Sequence, residues 1–198
     1  GKRLRLWDFK KELEKAMESL IRQLDEAGIA DDTVIVISPD HYPYGLERSA
    51  TWKNAKNYLK ELYGVTEMNR FSRDNNALII WSGCLEDKNL KVETPVYSLD
   101  ILPTLSNLFG LNYDSRLLVG RDVFSDTEPL VLWPEYSWKT DKGTYDSGSR
   151  TFTPAEGVEV DDSYVDRIKA IVSNKISYSR EVQNLKYFQV LSDFLNGK

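Results

Sequence analysis

Apolar residues follow two spacings along the first part of the chain, one typical of an amphipathic helix and one typical of a buried strand. From about Phe9 to Ala27 they recur every three or four positions, which predicts a helix that Gly28 ends. The unbroken β-branched run from Thr33 to Ile37 predicts a strand that is buried on both faces. Because proline has no backbone N–H for a sheet, we expect this strand to end at Ser38-Pro39. A helix, a short connection and a buried strand are together half of a βαβ unit.

The same alternation continues through the middle of the chain. The patterns predict, in order, a helix, a buried strand, a short extended segment and a capped helix: Ser49–Tyr63, Asn76–Trp81, Thr94–Tyr97 and Ser98–Gly110. In the last helix Asp100 is the expected N-cap. This places Pro103 in the first turn, where its missing N–H does little harm.

Shorter strand patterns follow. Leu130–Trp133 is strand-like, and Tyr136–Tyr145 resembles a hairpin whose turn is Asp141-Lys142-Gly143. We expect these residues to form a small, partly antiparallel patch at the edge of a sheet. Two further helices are predicted between about Asp161 and Leu195. No repeat or linker-like stretch interrupts the chain, so we predict one α/β domain over residues 1–198.

Composition excludes several classes of protein. The chain has 198 residues, of which 41% are hydrophobic, and this is enough for one well-packed domain. Its net charge of −5 provides no basic footprint, so we expect no nucleic-acid partner. The single cysteine, Cys84, excludes an internal disulfide. No apolar run approaches the ~20 residues that a membrane span needs.

The amino end resembles neither a signal peptide nor a natural start. It lacks the apolar core and cleavage site of a signal peptide. It also begins without methionine, a few residues before a predicted helix. We therefore expect the chain to be a soluble excerpt of a longer protein.

An acid and an imidazole, Asp40 and His41, come directly after the predicted buried strand, and His41 is the only histidine of the chain. In open α/β sheets, ligands and metals bind at the carboxyl ends of strands. A carboxylate and an imidazole suit Zn²⁺, Mn²⁺ or Mg²⁺, and the carboxylate favours the harder ions. We therefore predict that both residues are metal ligands. The alternative is that Asp40 caps a turn and that His41 lies at the surface.

The residues around this pair offer few other candidates for chemistry. Tyr42 and Tyr44 belong to a stiff aromatic turn and are candidates for the rim of a substrate pocket, with ordinary packing as the alternative. Cys84 has no evident partner base, and the chain contains no nucleophile elbow, Walker loop or dinucleotide fingerprint. Since a closed metal site normally has ~4 or more ligands, the others must be carboxylates or hydroxyls, or must lie upstream of Gly1.

Four segments, in sequence order, resemble one family. They are LIRQLDEAGIADDTVIVISPDHYPYG, TPVYSLDILPTLSNLFGL, LLVGRDVFS and PLVLWPEYSWKTDKGTYD. Together they are similar to the carboxyl-terminal part of the catalytic domain of the alkaline phosphatase/sulfatase superfamily, and most similar to its lipoteichoic acid synthase branch. The resemblance implies an alkaline phosphatase-like α/β fold with a central sheet, helices on both faces and a small antiparallel patch. This chain would be a carboxyl-terminal portion of that fold.

The resemblance also implies a metal and a reaction. Asp40 and His41 match the family's late metal-binding Asp-His pair. The expected metal is one divalent ion of the Mn²⁺ or Mg²⁺ type, with Ca²⁺ or Zn²⁺ as alternatives. Family members transfer or hydrolyse phosphate or sulfate esters through a Thr, Ser or modified Cys that contacts the metal. In the synthase branch, the transferred group is glycerol phosphate from phosphatidylglycerol.

The same resemblance concerns the parent protein. In the family the nucleophile precedes the Asp-His pair, and nothing in this chain matches it. We therefore expect the isolated chain to have no turnover and weak or no metal binding. The parent is expected to be membrane-anchored, with its catalytic domain outside the membrane and a lipid-linked or anionic ester as substrate.

Two expectations concern partners. The alternative to an enzyme is a non-catalytic module that keeps the fold and recognises an anionic cell-envelope polymer or a protein. The intact Asp40 and His41 favour the enzyme. Truncation of an α/β domain exposes a sheet edge or face, so we expect the chain to self-associate through that surface.

Overall fold

The structure, a computed structural model, describes residues 6–42, 57, 59–61, 64, 69–85 and 90–197. It contains both helices and sheets, in agreement with the predicted α/β class. The chain divides into two compact units, Gly1–Leu90 and Lys91–Lys198. Compact units of this size occur within one domain as well as in separate domains. The single domain over residues 1–198 therefore stays a prediction.

The first unit begins with the predicted amphipathic helix. Its elements are, in chain order, helix α1 (Leu6–Glu26), strand β1 (Val34–Ile37), the one-turn helix α2 (Arg70–Arg73) and strand β2 (Ile79–Ser82). Gly28 has a φ of +69°, and its N–H donates to the carbonyl of Asp25 at 2.9 Å. This left-handed residue closes the helix, as predicted, because glycine adopts that conformation without a steric penalty.

The two strands of the first unit form an antiparallel pair. Val34 lies opposite Ser82, and Ile37 lies opposite Ile79. All four residues of β1 are half-buried. The prediction of a strand buried on both faces is therefore wrong for the described residues. They form a sheet of only two strands, and the side chains of β1 stay partly exposed to solvent. A βαβ unit needs a parallel neighbour, and the neighbour of β1 in this pair is antiparallel.

Most of the helix predicted over Ser49–Tyr63 lies outside the described residues. Residues 57 and 59–61 are described, and they are helical. Leu59 is completely buried. This part of the prediction is confirmed only for those positions.

The second unit combines a small sheet with three helices. Helix α3 is Ile101–Leu108. The strands are β3 (Val131–Leu132), β4 (Trp138–Thr140), β5 (Gly143–Asp146) and β6 (Thr151–Pro154). Two helices follow, α4 (Tyr164–Asn184) and α5 (Tyr187–Leu195). The sheet is antiparallel throughout, in the order β3-β4-β5-β6. Thr140 pairs with Gly143, so Asp141 and Lys142 form the two-residue turn of the predicted hairpin. The fourth strand, β6, was not predicted.

The core of the second unit lies between this sheet and α4. Trp138 is completely buried, stacks on Tyr145 with ring centroids 5.5 Å apart, and meets the ring of Tyr164 edge-on at 6.1 Å. Ile168 and Val172 extend this cluster along α4. One face of α4 is therefore buried against Trp138 and Tyr145 of the hairpin.

The last helix has a different environment. Lys186 has a φ of +50° and turns the chain between α4 and α5. Several apolar side chains of α5 are exposed, and so is that of Leu185 just before it: Phe188, Val190, Phe194 and Leu195. None of the helices that the structure describes is long and apolar enough to cross a membrane.

Candidate functional site

The predicted metal pair lies just beyond the end of β1. The strand ends at Ile37, before Ser38-Pro39, and Asp40 and His41 follow in the next turn. The side chain of Asp40 is 88% exposed and that of His41 is 41% exposed. Both side chains are therefore accessible to an ion from solvent.

The geometry of His41 identifies which ring nitrogen can bind a metal. Its Nδ1 lies 2.6 Å from the backbone carbonyl oxygen of Tyr42. A carbonyl only accepts hydrogen bonds, so Nδ1 is the donor in this contact. In the neutral ring the proton is then on Nδ1, and the acceptor nitrogen is Nε2. A histidine that ligates a metal commonly makes this kind of N–H contact, which holds the ring in one tautomer and orientation.

The second nitrogen of the ring faces the neighbouring carboxylate. His41 Nε2 lies 3.5 Å from Asp40 Oδ1. Two atoms that are each about 2.1 Å from a shared ion are themselves roughly 3.0 to 3.5 Å apart. The spacing therefore fits two ligands of one cation.

Two further side chains of the first unit, Arg73 and Asp74, lie near Tyr42. The guanidinium carbon of Arg73 lies 4.1 Å from the centroid of the Tyr42 ring. Asp74 holds the same guanidinium with both of its oxygens, at 2.7 Å from Nε and 3.2 Å from the terminal nitrogen. Sequence reasoning missed Arg73 and Asp74, because no local pattern brings α2 to the residue after His41. Tyr44, the other predicted rim residue, lies outside the described residues.

Among the described residues, Asp40 and His41 remain predicted ligands, and they do not belong to a larger cluster of candidate ligands. No group of three or more His, Cys, Asp or Glu side chains in the described part of the chain could hold a metal ion. The other ligands of the centre, like the metal itself, stay a prediction.

A buried polar cluster lies in the second unit, at the start of α3. Asp100 was predicted to cap this helix, but its carboxylate accepts no N–H from α3. One of its oxygens accepts the backbone N–H of Tyr97 at 3.1 Å, and the other accepts that of Arg121 at 2.8 Å. The N-cap prediction is thus right for the position of Asp100 and wrong for the partners of its side chain.

Burial sets the electrostatics of this cluster. Asp100 is 1% exposed, and burial raises the pKa of its carboxyl while the two N–H donors oppose that change. Burial also raises the pKa of Tyr97, and the negative charge of Asp100 raises it further. Across the cluster, Lys175 donates to the carbonyl of Val119 at 2.7 Å, and burial lowers the pKa of its amine. The cluster joins the start of α3 to the loop before Arg121 and thus has a structural role.

An open cavity of about 500 Å³ lies in the same unit, between the segment 91–94 and the loop 121–129. Its lining includes the cations Lys91 and Arg121 and several carboxylates, among them Glu93, Asp126 and Asp141. Because the charges are mixed, the cavity does not select an anion or a cation by charge alone. We assign it no part in the predicted metal chemistry.

Comparison with known proteins finds relatives that are named lipoteichoic acid synthase. No protein-family model matches the chain. Over 186 residues the chain is 25% identical to lipoteichoic acid synthase 1 of Bacillus subtilis. This match extends over 92% of the chain and 28% of the relative. Lipoteichoic acid synthase 2 of the same organism is 24% identical over 174 residues, or 87% of the chain and 26% of the relative. The lipoteichoic acid synthase of Staphylococcus saprophyticus is 26% identical over 122 residues, or 60% of the chain and 18% of the relative.

The chain thus spans between 18% and 28% of the length of these three curated relatives. All three carry the name of the branch that the sequence segments resemble, and the matches of 87% and 92% extend over most of the chain. These similarities confirm the resemblance stated from the sequence: over most of its length the chain is similar to proteins named lipoteichoic acid synthase.

Proposed function

We propose that this chain is part of the catalytic domain of a metal-dependent phosphoglycerol transferase of the lipoteichoic acid synthase type, in which Asp40 and His41 bind a divalent ion. One observation carries the metal assignment. His41 donates from Nδ1 to the Tyr42 carbonyl and thereby presents Nε2 at 3.5 Å from Asp40 Oδ1. The similarity to proteins named lipoteichoic acid synthase supports the reaction class.

The two ligands have separate tasks in this proposal. Asp40 contributes a negative charge and an oxygen ligand, which favours an ion of the Mn²⁺ or Mg²⁺ type over a softer one. His41 contributes a neutral nitrogen, whose availability depends on the proton staying on Nδ1. A bound ion supplies charge neutralisation at the transferring phosphoryl group and lowers the pKa of a hydroxyl that contacts it.

The proposal extends to the rest of the parent protein. The chain would form a carboxyl-terminal portion of an alkaline phosphatase-like fold with a central sheet and helices on both faces. The nucleophile, a Thr, Ser or modified Cys, would be supplied by another part of a membrane-anchored protein that takes glycerol phosphate from phosphatidylglycerol outside the membrane. The isolated chain would then bind metal weakly and have no turnover.

Metal titration of the longer protein that contains this chain tests the assignment of the ligands. We expect Mn²⁺ binding, measured by isothermal titration calorimetry, to weaken at least about 100-fold in Asp40→Ala and in His41→Ala, since each removes a direct ligand. Asp32→Asn is the matched control, because it removes an exposed carboxylate just before β1. Equal binding by wild type and Asp40→Ala would refute the assignment.

The reaction class needs the longer protein. There, Asp40→Ala is expected to abolish the release of diacylglycerol from phosphatidylglycerol in vesicles, whereas Asp32→Asn leaves it unchanged. Undiminished release by Asp40→Ala would refute a catalytic metal at this position.

A further inference from the structure

We infer that Arg73 is a positioning residue for the metal pair: by stacking on Tyr42, it holds the peptide carbonyl that keeps the proton of His41 on Nδ1. The inference rests on the proposed function of Asp40 and His41 as metal ligands. Arg73 is not one of the two predicted ligands, and its described contacts are with Tyr42 and Asp74.

The contacts form a continuous series. Asp74 fixes the guanidinium of Arg73 through two hydrogen bonds, of 2.7 and 3.2 Å. The guanidinium lies over the Tyr42 ring at 4.1 Å from its centroid. The backbone carbonyl of Tyr42, in turn, accepts the Nδ1–H of His41 at 2.6 Å. The side chains of Arg73 and Asp74 are 27% and 23% exposed, so this end of the series is partly shielded from solvent.

The stacking restricts the residue that carries the carbonyl. A cation over an aromatic face is attracted by the electron-rich face of the ring, so the contact favours one placement of the Tyr42 side chain. With its ring held, Tyr42 has less freedom to rotate its peptide plane away from His41. The carbonyl favours a proton on Nδ1 of His41, because a carbonyl oxygen accepts hydrogen bonds and cannot donate them.

The tautomer matters for metal binding. If the proton moved to Nε2, it would lie on the nitrogen that faces Asp40 Oδ1, and that nitrogen would no longer have a lone pair for an ion. Arginine is suited to the task because its planar group can stack on a ring and bind a carboxylate with two N–H groups at once. Lysine keeps the charge but cannot do both.

The tautomer can be read directly, because the chain contains a single histidine. In the metal-free 198-residue chain labelled with ¹⁵N-histidine, two-bond and three-bond ¹H–¹⁵N NMR correlations report the proton position, at a pH where the ring is neutral. We expect wild type to be protonated predominantly on Nδ1. In Arg73→Lys we expect the Nδ1-protonated fraction to fall to that of a short unstructured peptide containing Asp-His.

Three further variants separate positioning from general damage. Tyr42→Leu removes the ring on which Arg73 stacks. We expect the fraction of His41 that is protonated on Nδ1 to fall in this variant as it does in Arg73→Lys. Tyr42→Phe keeps the ring and is expected to behave as wild type. Arg22→Lys changes an exposed arginine of α1 in the same unit and is the matched control.

The metal affinity gives a second readout. We expect the Kd for Zn²⁺, followed on the same imidazole signals, to rise about 10- to 100-fold in Arg73→Lys, which is the usual effect of losing a group that orients a ligand. An unchanged tautomer in both Arg73→Lys and Tyr42→Leu would overturn the inference, whatever the metal affinity.

The failure of the proposed function has a different signature. In that case wild type and Asp40→Ala would bind Zn²⁺ equally, although Arg73→Lys still changed the tautomer. The tautomer of the metal-free chain thus tests the role of Arg73, and the effect of Asp40→Ala on metal binding tests the site itself.

Discussion

Oδ1 of Asp100 accepts the backbone N–H of Arg121 at 2.8 Å, across 21 positions of the chain. Its Oδ2 accepts the N–H of Tyr97 at 3.1 Å. A single buried carboxylate therefore joins the extended segment before α3 to the loop after α3. Thr104 strengthens the same junction, since its hydroxyl donates to the carbonyl of Asp100 at 2.6 Å and accepts the N–H of Val123 at 3.1 Å.

Replacing Asp100 by asparagine should destabilise the protein. Asparagine has one side-chain oxygen, so its amide group would face one of the two buried N–H donors and leave it without an acceptor. We expect Asp100→Asn to lower the free energy of unfolding by about 1 to 3 kcal/mol, measured by urea denaturation. Asp126→Asn, at an exposed position, is the control, and an equal effect of the two substitutions would contradict the bridging role of Asp100.

Gly120 allows the loop to approach α3 closely. A Cβ at this position would overlap the backbone carbonyl of Leu99 and lie 2.8 Å from the backbone nitrogen of Asp100. Since backbone atoms cannot move aside as a flexible side chain can, we expect Gly120→Ala to lower the free energy of unfolding by about 3 kcal/mol or more. In Gly148→Ala the new Cβ would meet only Oδ1 of Asp146, at 3.1 Å, so this variant should lose much less. Thermal unfolding followed by circular dichroism compares the two, and similar midpoints would refute the close approach.

The indole of Trp138 should contribute by packing and not by hydrogen bonding. The ring is completely buried, and Nε1 has no hydrogen-bond partner among the described residues. We expect Trp138→Ala to lower the free energy of unfolding by about 3 to 5 kcal/mol. Trp138→Phe keeps an aromatic ring against Tyr145 and sacrifices no hydrogen bond, so its effect should be well below that of alanine. Equal losses in the two variants, measured by guanidinium denaturation, would show that the ring stacking has little weight.

Asp114 should make stability depend on acid pH. Hydrogen bonds from Arg116 lower the pKa of Asp114 to about 2. Those from the Arg116 side chain have the larger effect, and the one from its backbone N–H has the smaller. Because the folded pKa lies below the ordinary value of 3.8, the stabilising contribution is present above that ordinary value and is lost as pH falls towards 2. Arg116→Gln should bring the pKa of Asp114 back towards 3.8, as measured by ¹³C-carboxyl NMR titration. The same titration in Arg150→Gln, which changes an exposed arginine before β6, should match wild type, and a pKa unaffected by Arg116→Gln would contradict the prediction.

Much of the local structure was predictable because its signals act over a few residues. The helix ending at Gly28, the hairpin turn at Asp141-Lys142 and the helices that contain Tyr164 and Phe188 each depend on spacing or on one special residue. The position of Asp40 and His41 just after β1 was equally predictable, since a β-branched run followed by Ser38-Pro39 marks the end of a strand. The partner of β1 and the strand β6 were not predictable in this way, because pairing depends on residues that are distant in sequence.

The sequence alone therefore determined where most helices and strands lie in the described chain, which acid and imidazole follow the first strand, and which family the chain resembles. The tertiary structure decided that β1 pairs antiparallel with β2 and is only half-buried. It also decided that Asp100 binds the N–H of Arg121 and that Arg73 lies over Tyr42. The physical reason is the range of the interactions: helix periodicity and turn chemistry act between neighbours, whereas these contacts exist only after separate parts of the chain have packed together.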